Sequence, residues 1–430
     1  MEIKREKYLN DLVIRMNNGL IKVVTGIRRC GKSYLIFNLF YKYLLSIKVE
    51  ESCIIRLALD DDLNENLREP SALSAYIRSA VADTSRNYYI LLDEIQFAIS
   101  DDELKSPDKP KKIYSVLNGF LRLPNVDIYV TGSNSRFLST DVMTEFRGRG
   151  DEIHILPFTF SEFMHGYSGD IYNGWAEYTV YGGLPLILSM QTDEQKSSYL
   201  QHLLKETYLK DIIARNKIGK SQELNDLMLI LASAIGSLTN PTKIVQTFKS
   251  VVNSSISINT VLNYIDYLKD AFIITEVTRY DIKGRKYIGS PNKYYFEDIG
   301  LRNSLLNFRQ TEENHIMENI IYNELRFRGY NIDVGIVEKR AKDASGKEKR
   351  NRYEVDFIAT QGSKKYYIQS AFALSSFEKE NQEKFSLQNI GDNFKKIIVV
   401  KDVIKPQRDN DGISTIGLFD FLLNNNSLEL

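Results

Sequence analysis

The run Ile21-Lys22-Val23-Val24-Thr25-Gly26-Ile27-Arg28-Arg29-Cys30-Gly31-Lys32-Ser33-Tyr34 decides how the first part of this chain folds. Its opening is rich in β-branched residues and short, the pattern of a buried strand. Gly26 to Ser33 then fits GxxxxGK[ST], and YLIFNLFYKYLL behind it has the apolar spacing of a helix. Strand, glycine loop and helix in that order make a phosphate cradle. The glycines let the backbone wrap, and consecutive amides and the helix N-terminus donate to phosphate oxygens. Gly26, Ile27, Arg28, Arg29, Cys30, Gly31, Lys32, Ser33 and Tyr34 are therefore expected around a nucleotide. Lys32 offsets β- and γ-phosphate charge, and Ser33 is a ligand for Mg²⁺. A chance glycine-rich turn is the alternative, and the strand and helix on either side argue against it.

Outward from the loop, Tyr88-Tyr89-Ile90-Leu91-Leu92-Asp93-Glu94 is an apolar strand that ends in two carboxylates. A strand end of this kind faces the ligand crevice of a parallel sheet. Asp93 is expected to hold the metal, and Glu94 to activate the attacking water as a base; without the loop upstream, the pair reads as surface acids. DIYVTG ends in Ser133, Asn134 and Ser135, where Ser133 or Asn134 is a candidate to orient water at the γ-phosphate, a turn-forming role being the alternative. FRGRG then presents Arg147 and Arg149 between glycines. Arg149 is the favoured phosphate partner, and a surface ion pair is the competing reading.

The whole chain sets bounds on these readings. Its 430 residues are enough for several cores, and 43% hydrophobic with 26% charged residues is ordinary globular composition. Lys+Arg and Asp+Glu both number 56, so no overall positive field draws in nucleic acid. Residues 201–310 alone are basic, with 15 basic and 10 acidic side chains. Cys30 and Cys53 cannot form a disulfide framework, and four scattered histidines have no zinc spacing. The N-terminus lacks the apolar core of a signal peptide and no apolar run is long enough to cross a bilayer, so a cytoplasmic location without membrane contact is expected.

Short β-rich runs at Ile21 to Thr25, Cys53 to Leu59, Tyr88 to Leu92, Asp127 to Thr131 and Glu152 to Leu156 alternate with helix-length segments. That alternation predicts an α/β architecture with a parallel sheet. From about Trp175 to Leu305 the pattern is mostly helical, entered through Gly182, Gly183 and Pro185. The tail returns to a mixed pattern: a helix near Glu313 to Arg328, then strands near Ile332 to Val337, Tyr353 to Ala359, Lys365 to Ala371 and Lys395 to Val400. KRAKDASGKEKRNR, between the first two of these strands, reads as a solvated hairpin loop.

GIRRCGKS, ILLDEIQ, VTGSNS, FRGRG, LPFTFSEF and YGGLP, in that order, resemble the prokaryotic AAA-like ATPases of the STAND and archaeal-ATPase group. More narrowly, the chain is similar to their subfamily with a C-terminal domain of unknown function. The resemblance implies a P-loop ATPase domain (1–170), a helical lid (171–218), a winged helix (219–308) and an α/β restriction-endonuclease-like domain (309–430). It implies ATP and Mg²⁺ as cofactors, Arg149 as the phosphate-sensing arginine in cis or in trans, and a place near the adenine for the turn of Gly182, Gly183 and Pro185. A tight interdomain turn would look the same. The basic turn of Lys283, Arg285 and Lys286 would be a wing facing DNA phosphates, or else a solvated hairpin; a protein partner and a nucleotide-dependent oligomer are the other expected associations. In the tail, Glu318 and Asp356 resemble a nuclease carboxylate layout, but the (D/E)xK element falls on Gln369-Ser370-Ala371. Lys364 and Lys365 are the nearest substitutes in sequence. The expected output is an ATPase that works as a switch; the alternative is ATP-gated DNA binding or cleavage through a tail that is better read as degenerate.

Overall fold

The computed structural model describes residues 2–100, 102–103, 111–132, 146, 148–309, 312–342, 348–373 and 377–429. They form two compact units, Met1–Pro157 with Asp270–Phe272, and Phe158–Lys269 with Ile273–Leu430. The sequence reading expects four segments. Its first boundary, at 170, falls beyond the break at Pro157, because Phe160 and Phe163 belong to the core of the second unit.

The first unit is built on β1 (Ile21–Thr25), β2 (Ile54–Ala58), β3 (Tyr88–Asp93), β4 (Val126–Thr131) and β5 (Gly150–His154), in the order β2-β3-β4-β1-β5. Every adjacent pair is parallel. Each residue of β1 and β3 is buried, as expected for strands covered on both faces. Helices α1 (Glu6–Ile14), α2 (32–46, with a π-helical stretch at Leu35–Phe40), α3 (Pro70–Ala80) and α4 (Lys112–Phe120) accompany the sheet. Leu73, Ile77, Ile113, Leu117 and Phe120 pack with Ile55, Ile90, Leu92, Ile128 and Val130 in one apolar core. The price of a lysine inside β1 is met by pairing: Lys22 is fully buried against Asp127, whose other oxygen accepts the Tyr129 hydroxyl at 2.8 Å. Because all five strands run the same way, Thr25, Ala58, Asp93, Thr131 and His154 end at one edge.

The second unit begins with helices that include α5 (Ile171–Tyr181), 193–216, Ser221–Ser233 and Pro241–Thr247. They are followed by β6 (Ile274–Asp281), β7 (Lys286–Phe296), α6 (Ile299–Leu305) and α7 (Glu313–Phe327). Six further strands complete it: β8 (Asn331–Lys342), β9 (Glu348–Gln361), β10 (Lys364–Ala371), β11 (Lys395–Val400), β12 (Gln407–Arg408) and β13 (Ile413–Gly417). All eight form one mixed sheet, ordered β12-β13-β11-β10-β9-β8-β6-β7. The β6–β7 hairpin, expected as a wing, thus shares a sheet with the tail: Arg279 lies opposite Val334 in a parallel pairing. No break in the sheet corresponds to residue 309. The charged segment expected as a loop is largely strand, since β8 and β9 pair out to Lys342 and Glu348. A two-stranded ribbon needs only its backbone hydrogen bonds to extend into water, so charge does not stop it. Asn319 of α7 ties helix to sheet: its side chain accepts from the Phe296 amide and donates to the Phe296 carbonyl, both at 2.8 Å. Among the described residues no helix is long and apolar enough to cross a membrane.

Candidate nucleotide site

The glycine loop leaves β1 at the C-terminal edge of the sheet. Gly26 sits at φ 138, and a β-carbon there would lie 2.2 Å from the Ile155 carbonyl oxygen, so only glycine fits. Ile155 is held in turn by its amide, which donates to the Thr25 carbonyl at 2.9 Å. Gly31, at φ 103, turns the chain into α2. Ile27 and Cys30 are buried behind the loop, Arg28 is half-buried, and Arg29, Ser33 and Tyr34 are exposed. Lys32 is 4% exposed and its Nζ donates to the Gly26 and Ile27 carbonyls at 2.9 and 3.0 Å. The ammonium is therefore folded across the mouth of its own loop. Gly26→Ala should cost about 2–4 kcal/mol, from positive φ together with steric overlap; urea unfolding of the purified variant measures it, and an unchanged midpoint would mean the loop can shift away from Ile155.

Asp93 closes β3 on the same edge, and its carboxylate accepts from the Thr131 hydroxyl and from Ser33. Burial pushes its pKa up, opposed by those two hydrogen bonds, and Glu94 and Asp60 nearby push it up further. A buried carboxylate in that state favours a cation beside it. Glu94 follows at φ 52, with its amide donating to Thr131 Oγ1 at 3.2 Å and its carboxylate accepting from Gln96 Nε2. One hydroxyl, Thr131 Oγ1, thus fixes both acids.

Of the remaining candidates of the first unit, Arg149 is among the described residues. Ser133, Asn134, Ser135 and Arg147 lie outside the described residues. Arg149 immediately precedes β5, where Gly150 pairs with Ile21 at the start of β1, and its carbonyl accepts from the Ile21 amide at 2.9 Å. It is exposed at the N-terminal edge of the sheet, with the glycine loop at the C-terminal edge. The length of β1 between them, about 13 Å at the usual rise, exceeds the reach of an arginine side chain.

Gly182, Gly183 and Pro185 belong to the second unit, where they form a tight turn. The Gly183 amide donates to Asp298 at 2.8 Å, and its carbonyl accepts from the Phe158 amide at 2.8 Å. A β-carbon on Gly183 would lie 2.2 Å from the Phe158 carbonyl oxygen, and one on Gly182 would lie 2.4 Å from the Asp298 carboxylate. Asp298 also caps α6 through the Leu301 amide at 2.9 Å. Burial pushes its pKa up to about 6, even though it accepts from the Gly183, Leu301, Gly300 and Leu184 amides. The backbone of the turn is occupied with Asp298 and Phe158, both of the second unit.

In the tail, Glu318 of α7 and Glu354 and Asp356 of β9 converge on one cation, Lys293 of β7, whose side chain is 2% accessible. Its Nζ lies 2.8 Å from Glu318, 2.6 Å from Glu354 and 3.5 Å from Asp356. Tyr295 donates to Glu318, and the Ser370 amide donates to Asp356 at 2.8 Å. Gln369 accepts from the Asp356 amide at 3.4 Å. Burial raises Asp356 to about 8, helped by Glu318 and Glu354; burial also pushes Glu318 up, but Lys293 and the hydrogen bonds around it outweigh this and hold it low. Lys364 and Lys365 do not substitute, because Lys364 pairs with Glu429 at 2.6 Å and Lys365 faces Asp392 at 3.8 Å.

Residues 18–164 match the family described as an AAA domain, and residues 172–312 match a domain of unknown function, DUF8612. An uncharacterized protein of Haemophilus influenzae is 31% identical over 426 residues, covering 98% of both chains. The chain belongs to that protein's family, and it carries an AAA-type P-loop domain. A second relative of this AAA protein, an uncharacterized protein of Methanocaldococcus jannaschii, is 28% identical over 400 residues, 89% of this chain and 81% of that one. Among solved structures, Cdc6p from Pyrobaculum aerophilum overlays with a TM-score of 0.30 at 13% identity, covering 74% of this chain and 93% of that chain, a likeness too loose to carry function.

Three partners in this AAA protein escaped sequence reasoning. Thr131 was visible only as the last residue of an apolar strand, and its contact with Asp93 depends on which strands are neighbours. Asp298 and Lys293 are distant in sequence from the groups they serve, so no motif spacing could reveal them.

Proposed function

We propose that the chain binds ATP at the glycine loop and hydrolyses it, using nucleotide state to switch the arrangement of its parts. The observation that carries this reading is the buried Lys32 ammonium folded over the loop, together with a buried Asp93 that is hydrogen-bonded to Ser33 of the same loop. Among the described residues Lys32 has main-chain carbonyls as its hydrogen-bond partners. A triphosphate offers it charged oxygens instead, and charge-assisted hydrogen bonds are the stronger kind. The Ser33 hydroxyl and the Asp93 carboxylate are hard oxygen donors and fit Mg²⁺, which when bound would neutralise phosphate charge. Glu94, held at the strand end by Thr131, takes the proton of a water that attacks the γ-phosphorus in line; the bond to the bridging oxygen breaks and ADP leaves. Asn134 remains a candidate to orient that water.

Arg149 is proposed to act in trans, on the loop of a second copy of the chain, since its own loop lies at the other end of β1. In the second unit, the turn of Gly183 and Pro185 is proposed as a structural support for Asp298. The tail is proposed to bind or scaffold, because Lys293 already stands within 3.5 Å of all three carboxylates that a cleaving site would keep for metal.

Lys32→Ala should weaken ATP binding about 100-fold, the scale of losing hydrogen bonds to a charged group. Glu94→Gln should keep ATP affinity and lose turnover by about 10²-fold or more. Calorimetric titration with ATP and Mg²⁺, followed by steady-state phosphate release, separates the two. Equal ATP affinity in the Lys32 variant would remove the reading.

A further inference from the structure

Arg5, the residue before α1, is left-handed at φ 44 and only 4% exposed. Its guanidinium spans two distant pieces of main chain. Nη1 donates to the Cys30 carbonyl at 2.8 Å and Nη2 to the Leu156 carbonyl at 2.7 Å. The guanidinium carbon lies 4.6 Å from the centre of the Tyr8 ring, and the Tyr8 hydroxyl accepts from the Leu156 amide at 3.0 Å. The N-terminal segment therefore grips Leu156 through both its carbonyl and its amide, and grips the glycine loop through Cys30. Ile155, beside Leu156, is the residue that crowds Gly26.

The Cys30 carbonyl belongs to the same peptide as the Gly31 amide, one residue before Lys32. In a planar trans peptide the carbonyl oxygen and the following amide hydrogen point in opposite directions. A cation that holds the oxygen from one side therefore turns the hydrogen to the other, and polarises the peptide so that it donates more strongly. The fork geometry of an arginine, unlike a single ammonium, serves two carbonyls at once.

We infer that Arg5 is a positioning residue for the phosphate loop: by pinning the Cys30 carbonyl it aims the Gly31 amide at a phosphate oxygen of the bound nucleotide. The inference rests on nucleotide binding at this loop and adds to it a contribution from outside the motif. It acts on the phosphate chain and not on the base, so its signature is indifferent to what the phosphates carry.

The test titrates the full chain, Arg5→Ala and Arg5→Lys with ATP, ADP and inorganic tripolyphosphate in Mg²⁺, at a temperature where circular dichroism shows each variant folded. Arg5→Ala should weaken all three ligands by one common factor of about 10 to 100, the worth of one hydrogen bond to a charged group. Arg5→Lys should fall between, since an ammonium can keep one carbonyl. Should Arg5→Ala fail to fold, the intermediate affinity of Arg5→Lys carries the test. A merely structural role would lower the melting temperature and leave the affinities of the folded variants alone. Affinities within twofold of the unmodified chain in either folded variant, or a loss for ATP with none for tripolyphosphate, would overturn the inference while leaving nucleotide binding intact. No binding of ATP or tripolyphosphate by the unmodified chain would remove both.

Discussion

Arg149→Ala should lower ATP turnover by about 10³-fold or more while ATP affinity stays near that of the unmodified chain. The expectation follows from strand direction. β5 runs parallel to β1 with Gly150 opposite Ile21, so Arg149 enters the sheet at the edge away from the loop. An arginine there is exposed at the edge opposite the glycine loop, which is why it is proposed to serve the loop of a second copy. Charge shifts toward the bridging oxygen as the bond breaks, and an arginine placed for that moment contributes to turnover more than to binding. Mixing decides between cis and trans. At an ATP concentration that leaves the Lys32→Ala loop empty, Arg149→Ala and Lys32→Ala should each be close to inactive alone, but a mixed assembly pairs the intact loop of one with the intact arginine of the other. Phosphate release regained on mixing, with an ATP-dependent increase in mass, is the expected result. Two inactive variants that stay inactive together, while each still assembles, would return Arg149 to a surface role.

Lys293→Met should destabilise the second unit by about 3–5 kcal/mol at neutral pH, the cost of leaving a buried charge without its partner. Methionine keeps most of the volume, so the loss reads out charge more than packing. Lys293 is the common neighbour of Glu318, Glu354 and Asp356, of which Glu354 is the more accessible and so the better able to recover in water. The pH dependence has a definite sign. In the unmodified chain Glu318 is held below its ordinary value, so its contribution to stability is present above that value and is lost as pH falls through the lowered one. Asp356, raised to about 8, works the other way: its contribution is complete below the ordinary aspartate value and disappears as pH rises toward 8. Without Lys293, Glu318 loses the partner that holds it low, and burial drives both acids upward. The penalty of the variant should therefore be largest at neutral and alkaline pH and shrink as the solution is acidified toward the ordinary carboxylate range. Urea denaturation across that range measures it, with Lys293→Met/Glu318→Gln as the partner variant that should restore part of the loss. A penalty independent of pH would assign the effect to packing.

Much of the candidate nucleotide site was legible because its parts are local. A strand, a glycine loop and a helix are contiguous, so Gly26, Gly31, Lys32 and Ser33 could be read from one window, and the carboxylates Asp93 and Glu94 from another apolar strand. The all-parallel sheet followed from the alternation of short apolar runs with helices. The tail was legible as element types but not as pairings: the charged segment after Val337 extends a ribbon, and the β6–β7 hairpin joins the tail sheet through β8. Neither composition nor periodicity records which strand edge another strand will find.

The amino-acid sequence alone determined which residues form the glycine loop and the acid-ended strand, since backbone freedom at glycine and the order of strand, loop and helix are properties of adjacent residues. Tertiary structure alone decided which groups work together. It put Arg149 at the far edge of the sheet, because a parallel neighbour must begin where its partner begins. It gave Asp298 to the Gly183 turn and Lys293 to three acids of other elements, because a charge taken out of water must find partners in space, wherever the chain supplies them.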